Sequence, residues 1–543
     1  MATKETYRPA FTEPPGKNLA GIPISNLRLP TPSISYGLPY NEACARHIRD
    51  TFHASRIYIV ASRPLAANTD KVDKLVSAIG EKNVVGVRWK GITPHTPWSE
   101  ILEISAECRA VRADCVVTLG AGSITDGCKL VVLCLANDIR EPEQLARYSV
   151  ESSDAPKTIA EPTVPLITIP TSLSGGEYFS LAGGTEDSTH HKHGFLHSGM
   201  GARLIILDPD LCRTTPEYHW LSTGIRSVDH CVEAMCSLSG TPASDAKAEE
   251  GLRLLLPGLL RSKADPDDVE ARHRCQLGVN LAMGSVRAGV PMGGSHAIGH
   301  QLGPLGVAHG VTSCIMLPAV LKYNVQHGTG RPEIAEKQQR VQAILWSESE
   351  AVKVLEAANL VRDTADLGDL LDAVIRALGL PRTLKEVGVS PDVIPALSKR
   401  SLSDFWAPSN PVPLLEAEQV QAILEQLRSI NYPTIEDRQQ LFPRYRSPMR
   451  LQIQPMPPTY WVVIFSLFYL NCRDSITAVR ARSSFRVSSV GLHIPLGWCR
   501  LSLLSLRPNS YPEGFLSPCL VSRDKLLLVN PTLHCQTSFV AGV

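Results

Sequence analysis

The stretch Asp114–Lys129, DCVVTLGAGSITDGCK, opens on an uncharged β-branched run and closes at the start of an apolar segment. Asp114–Leu119 predicts a buried strand, and Gly127–Ala136 an apolar helix. Between them lie Gly120, Ala121, Gly122 and Ser123, followed by Asp126. Small residues at this junction let the backbone approach an anion. The free amides and the dipole of the following helix then face it. This is the chemistry of a phosphate cradle. The pattern is shorter than a full GxGxxG fingerprint, and a tight βα turn has the same composition.

Outward from this unit the alternation repeats. Upstream, helices are expected over Asn41–Phe52, Lys71–Gly80 and Trp98–Ala113, with strands over Arg56–Val60 and Asn83–Val87. Downstream, the strand Leu166–Ile169 runs into Pro170–Glu177, PTSLSGGE, and Leu204–Leu207 is a further strand. Hydroxyls and glycines directly after a strand suit a ribose or diphosphate; a surface loop is the plain alternative. Strands alternating with helices predict βαβ units and a parallel sheet. Lys192 sits in a His-rich loop, where it either reaches a phosphate or substrate or is solvated. Residues 1–35, rich in Pro, Ser and Asn, read as an extension of the body.

After Pro216 the strand pattern stops. Helices are expected over Thr223–Leu238, Ala243–Leu260, Val269–Arg287 and Ser295–Leu302, then over Lys337–Trp346, Asp366–Leu378, Ser390–Lys399 and Leu415–Arg428. This is an all-α second half, and a cleft between two such halves is the usual place for an active site. Within it Gly294–Pro318, GSHAIGHQLGPLGVAHGVTSCIMLP, holds three histidines. His296 and His300 are four residues apart and share a helix face. His309 follows a Gly/Pro bend that turns the chain back toward that face. Such a set builds a metal or proton-transfer site; a helix with ordinary polar histidines is the alternative.

The bulk properties exclude other classes. A chain of 543 residues exceeds one simple core, so two domains plus extensions are expected. Of its 54 basic and 53 acidic residues, 12 and 5 fall after residue 430, which leaves a mildly acidic body with no call for a nucleic-acid partner. The 14 cysteines form no CxxC pair and fit a reduced, cytoplasmic protein. The best candidate span, Trp461–Leu470, falls well short of the roughly 20 residues that cross a bilayer, so no membrane span is expected.

Five motifs in order carry a family likeness: GAGSITDGCK at 120–129, PTSLSGGE at 170–177, GIRSVDHCVEA at 224–234, GGSHAIGHQLG at 293–303 and AHGVTSCIMLP at 308–318. Over roughly residues 36–430 the chain resembles the iron-type alcohol dehydrogenases and their maleylacetate reductase relatives, which share an architecture with dehydroquinate synthase. The resemblance implies an α/β dinucleotide-binding domain over 36–215, an all-α domain over 216–430 and NAD(H) or NADP(H) as hydride carrier. Carried over by position, Gly120, Ala121, Gly122, Ser123 and Asp126 belong to the pyrophosphate cradle. Thr171, Ser172 and Leu173 line the cofactor. His300 stands near the nicotinamide as a candidate in proton transfer. A small-molecule substrate and a homodimer are further implications.

One position departs from the family. Metal-dependent members hold iron or zinc with one Asp and three His, the Asp four residues before the first His. His230, His296 and His309 match the histidines, but Arg226 occupies the aspartate position. A guanidinium repels a cation and instead binds a carboxylate or steadies an enolate. Asp229, adjacent to His230 and so about 100° away on a helix, is a poor chelating substitute; Glu233 is placed as a supporting partner. The leading expectation is an NAD(P)H-dependent reductase of a small carboxylated enone or keto compound without a catalytic metal, with His300, Arg226 and Lys192 as candidate catalytic residues and Arg226 as anion anchor. The alternatives are a metal-dependent alcohol dehydrogenase and an inactive scaffold relative. The strand Arg56–Val60 runs into Ala61-Ser62-Arg63, with no acid for an adenosine ribose, so the choice between NAD and NADP stays open.

The likeness ends near residue 430. Residues 431–543 hold eleven arginines, one lysine and short apolar bursts without a period. They are expected to be poorly ordered and to take no part in catalysis. Two origins fit this composition: translation from an intron or a shifted frame, and an interaction tail.

Overall fold

The computed structural model describes residues 4–11 and 30–427 apart from residue 157, together with short strands beyond residue 460. The first half runs β1 (Thr6–Arg8), β2 (Ser33–Tyr36), α1 (Tyr40–Asp50), β3 (Ile57–Ala61), α2 (Arg63–Asn68), α3 (Lys71–Ile79), β4 (Val84–Arg88) and α4 (Trp98–Ala110). It continues with β5 (Cys115–Gly120), α5 (Gly122–Ala136), α6 (Pro142–Ala146), β6 (Leu166–Pro170), β7 (Leu181–Thr185), β8 (Lys192–Leu196) and β9 (Leu204–Leu207). Seven strands form one sheet in the order β1-β2-β9-β6-β5-β3-β4. All neighbours are parallel except β1 with β2.

Every residue of β5 is buried, which is why its sequence reads as a continuous apolar run. Val116 packs with Trp98 and Val131 on one face, and Val117 and Leu119 with Ile57 and Ile59 on the other. From β3 the chain goes out to β4, then returns to β5 on β3's other side. This reversal opens a crevice beyond the strands' C-terminal ends, the place where open α/β sheets take ligands.

The second half is helical: α7 (Glu217–Cys236), α8 (Pro242–Ala264), α9 (Val269–Arg287), α10 (Gly294–Leu302), α11 (His309–His327), α12 (Pro332–Leu345), α13 (Ser349–Ala357), α14 (Leu367–Ala377), α15 (Ile394–Ser401) and α16 (Ala417–Gln426). Buried from Gly224 through Cys236, α7 is its central post. The β7–β8 hairpin joins the two halves by strand alternation. Ala182 and Phe195 enter the sheet-side core with Trp98, while Leu181 and Leu196 pack against the helical core.

Four expectations need correction. Residues 1–35 are not merely an extension, since β1 and most of β2 belong to the sheet. Glu5 ties them down, accepting from Ser35 Oγ at 2.6 Å and meeting His47 at 2.7 Å, partners that are distant in sequence. Lys192 lies on strand β8 rather than in a loop; the glycines of LAGGT and KHGFL hide the strand pattern. Helix α5 begins at Gly122, not Gly127, so Ser123 and Asp126 are inside it. The long helix starting at His309 was not expected, because α11 is buried on nearly all sides from Gly310 to Leu321 and shows no amphipathic period.

Most of residues 431–543 lie outside the described residues, and the expectation of poor order falls there. Within that stretch a separate unit contains Trp461–Val462, Phe485–Ser489 and Leu504–Pro508 in one antiparallel sheet, and Leu520–Ser522 with Lys525–Leu527 in another. Among the described residues no helix is long and apolar enough to cross a membrane. Ten cysteines there are free and buried.

The approach of α11 to α7 is close enough to need glycine. A Cβ on Gly310 would stand 2.9 Å from the Thr223 backbone nitrogen and 3.0 Å from the Ser222 carbonyl carbon. Gly310→Val is expected to destabilise the chain by about 1–3 kcal/mol, measured as a lower urea midpoint at unchanged slope.

Candidate active site

The two expected cofactor loops leave the sheet side by side. Gly120 and Pro170 are in register on adjacent strands, and Thr171 N donates to Gly120 O at 2.9 Å. From the β3 end, Ser62 N donates to Leu119 O at 2.9 Å. Helix α5 starts here with extended Ala121 as its cap residue and no side-chain cap, so its first amides are available to an anion. At Gly122 a Cβ would lie 2.8 Å from Ser174 Oγ, which in turn is 3.1 Å from Ser172 Oγ. Gly120, Ala121, Gly122, Ser123, Thr171 and Ser172 are therefore gathered at one edge, as a dinucleotide cradle requires.

Asp126 and Leu173 have another part. Asp126 pairs with the fully buried Lys129 at 2.9 Å, and Lys129 Nζ also donates to Leu181 O at 2.7 Å. One turn of helix is thereby fixed to the hairpin. Thr125 adds a bond to the buried Glu177 at 2.9 Å, where burial pushes the carboxyl's pKa up. The Leu173 side chain is fully buried, and its backbone is taken by α7: Leu173 N donates to Thr223 Oγ1 at 3.1 Å, and Ser227 Oγ donates to Leu173 O. Asp126 thus fastens the start of α5 to the hairpin, and Leu173 fastens the loop after β6 to α7.

Across the crevice, α7, α10 and α11 bring the histidines together. The His230 and His296 rings are 4.8 Å apart, and His300 stacks on His309 at 5.4 Å. His300 Nδ1 is bound to Asp404 at 2.8 Å, and its ring lies against Trp406. Asp404 and Trp406 were missed because both come from a turn about a hundred residues away. Glu233 supports the cluster as expected, but through His296 rather than His230. Its carboxylate is 2.7 Å from His296 Nδ1 and accepts from Gly293 N at 2.9 Å and Ser295 N at 2.8 Å.

Arg226 is buried at the centre of this group. It donates to Ser313 Oγ at 3.3 Å. Burial lowers its pKa to about 10, opposed by the charges of Asp229, Glu233 and Asp404, so it is cationic at neutral pH. Burial, and then this charge, pushes His230, His296 and His309 well below the ordinary histidine value. Asp229 is nearer the site than its place beside His230 suggests. It accepts from Ser295 Oγ at 2.8 Å and lies 3.4 Å from His296 Nδ1. Burial raises the pKa of both Asp229 and Glu233, and Arg226 works against that rise.

Lys192 completes the cationic side. Its aliphatic stem lies over Gly183, and its ammonium feels Asp126 and Arg226. Surrounding protein lowers its pKa, with Asp126 opposing and Arg226 adding to the effect.

The donor set was weighed for a divalent cation. His230, His296 and His309 do not bring three ligand atoms together; among the described residues the mutually close group here is Asp229, Glu233 and His296. The Glu233 oxygens and one Asp229 oxygen already accept hydrogen bonds. With a fixed guanidinium among the same side chains, the expected three-histidine metal site does not fit. Buried His230 Nδ1 and His296 Nε2 have no hydrogen-bond partner, and they remain open to a bound molecule.

An α/β half with a glycine-rich βα turn facing a histidine-lined helical half is an arrangement shared with oxidoreductases of the dehydrogenase class. The chain belongs to the iron-containing alcohol dehydrogenase family: that family's description matches residues 39–209, and its C-terminal region matches residues 220–428. Among relatives, it is 38% identical to Dehydrogenase FUM7 of Gibberella moniliformis over 72% of this chain and 95% of that one. With Dehydrogenase ALT3 of Alternaria alternata it shares 37% identity over 67% and 96%. The solved maleylacetate reductase from Agrobacterium tumefaciens has the same fold at 24% identity and a TM-score of 0.55, covering 73% of this chain and 95% of that one.

Glu233 is the site's internal brace. Glu233→Ala leaves two buried backbone amides and the His296 ring without their acceptor, each at about 1–3 kcal/mol. The expected outcome is a stability loss of at least about 3 kcal/mol, read from denaturant unfolding beside the unaltered chain.

Proposed function

We propose that the protein is an NAD(P)H-dependent reductase of a small carboxylated enone or keto compound, working without a catalytic metal. The observation that carries this reading is Arg226, a buried permanent cation set among the three histidines at the position where metal-dependent relatives place an aspartate. A dinucleotide held by Gly120–Ser123 and Thr171–Ser172 would supply the hydride. Arg226 offers planar donors to a substrate carboxylate or to the oxygen that gains charge as hydride arrives. Lys192 adds a second positive charge for an anionic substrate. His300 is the proton donor: Asp404 occupies Nδ1, which leaves Nε2 as the atom that exchanges a proton with substrate. The structural likeness to a maleylacetate reductase is in keeping with a carboxylated substrate. Free buried cysteines suit a reducing cytoplasm. The group Asp229, Glu233 and His296, and membership of an iron-containing family, favour the metal-dependent alternative.

The test follows NADH and NADPH oxidation by the full chain with small carboxylated enones and with simple aldehydes, before and after chelation. Unchanged enone turnover after chelation is expected, and Arg226→Leu should lower kcat by about 10²–10³. Aldehyde turnover that tracks metal content would overturn the reading. The pH profile gives a second check. Lys192 grips an anion only when protonated, and its lowered pKa brings the loss of charge below the ordinary lysine range. kcat/KM should therefore fall on the alkaline side, and Lys192→Met should raise KM and flatten that limb.

A further inference from the structure

The His-rich segment before β9 is not used by the chemistry above, and its geometry points to a second, separate metal site. We propose that Glu151, His191 and His193 bind a divalent transition metal of the zinc type at the start of β8, on the hairpin face that carries Phe195. Their ligand atoms all lie within 4.8 Å of one another. Glu151 Oε2 is 3.4 Å from His191 Nε2 and 3.1 Å from His193 Nδ1. A tetrahedral ion with bonds of about 2.1 Å sets its ligand atoms roughly 3.4 Å apart, so these spacings need little adjustment.

The strand makes the pair. His191 and His193 are two residues apart and fall on one side of β8, with Phe195 continuing that face into the core. Lys192, between them, falls on the other side. The His193 ring rests against Trp98 at 4.9 Å, which limits its rotation. Glu151 is brought to the strand by a backbone bond, Val150 N to Gly194 O at 2.9 Å. Neither ring nitrogen of His193 makes a well-formed hydrogen bond, although both are buried. On the far side of that ring, Glu186 Oε2 is 3.6 Å from Nε2. With Nδ1 on the metal, a small approach of Glu186 to Nε2 would complete the carboxylate–histidine–metal arrangement that orients a ligand ring and raises its basicity. Two imidazoles and one carboxylate, with water in the fourth place, suit zinc and also accept copper. The ion would clamp the Glu151 segment to the strand that carries Lys192. The site does not depend on the reading of Arg226.

The experiment uses the chelator-stripped full chain and zinc alone, by equilibrium dialysis and calorimetry. The double variant His191→Gln/His193→Gln is expected to bind one zinc ion fewer than the unaltered chain, and Glu151→Gln to bind at that site at least about tenfold more weakly. Copper bound to the unaltered chain should show coupling to two imidazole nitrogens by electron paramagnetic resonance, a signal absent from the double variant. Any zinc held at the active-site histidines is common to both chains and cancels in the difference. Equal zinc stoichiometry in the two chains, or no zinc uptake by the unaltered one, would overturn the proposal. Should the double variant misfold by circular dichroism, the Glu151→Gln affinity decides, and an unchanged value counts against it.

Discussion

Burying a permanent positive charge dictates the arrangement of the helical half around α7. Arg226 is nearly solvent-free and cannot lose its proton at neutral pH, so the chain must compensate it from within. Asp229 and Glu233 on the same helix and Asp404 from a distant turn supply the countercharge. Those carboxylates are in turn held by Ser295, Gly293 N and His296. The start of α10, the tilt of the His296 ring and the seat of α7 are thus parts of one electrostatic balance. His230, His296 and His309 feel it too: burial and the neighbouring cation both disfavour their charged form.

The cofactor side is joined to this centre by a shared apolar core and by polar links that fix its register. Lys129 links Asp126 to the hairpin, and Thr223 and Ser227 link the Leu173 backbone to α7. The hairpin reaches both cores through alternating side chains. A movement at β8 therefore carries Lys192 with it relative to both the cradle and Arg226.

How much of this was legible in the sequence differed by element. Strand β5 and the turn after it were readable, because a strand buried on both faces writes a continuous apolar run and its cradle needs small residues. Helix α9 was read end to end from its period. Helix α11 was not, since burial on nearly all sides erases the contrast on which periodicity depends. β1 and β2 exist only through distant partners, and β7 and β8 carry glycines that weaken any strand signal. In the site, His296, His300 and His309 stood out by spacing and His230 and Arg226 through the family resemblance, whereas Glu233, expected beside His230, bonds His296. Asp404 and Trp406 were not, because their meeting with His300 is made by the fold and leaves no local mark. Asp229 was judged by its helical angle to His230, whereas its real neighbour, Ser295, arrives on another helix.

The same balance sets Arg226 against a divalent cation at this place. The guanidinium offers one positive charge to a cluster containing Asp229 and Glu233, and burial already raises the pKa of both. An aspartate at position 226 would put a third carboxylate beside them in a desolvated site. Such a cluster holds together only by taking up protons or by drawing in a cation of higher charge. With arginine there, an incoming divalent ion would meet a fixed like charge and carboxylates already committed to hydrogen bonds. One residue on α7 therefore selects between two electrostatic solutions on the same fold: an exchangeable ion that polarises a carbonyl, or a built-in guanidinium that binds an anion. Arg226 is what supports the second for this chain, as proposed above.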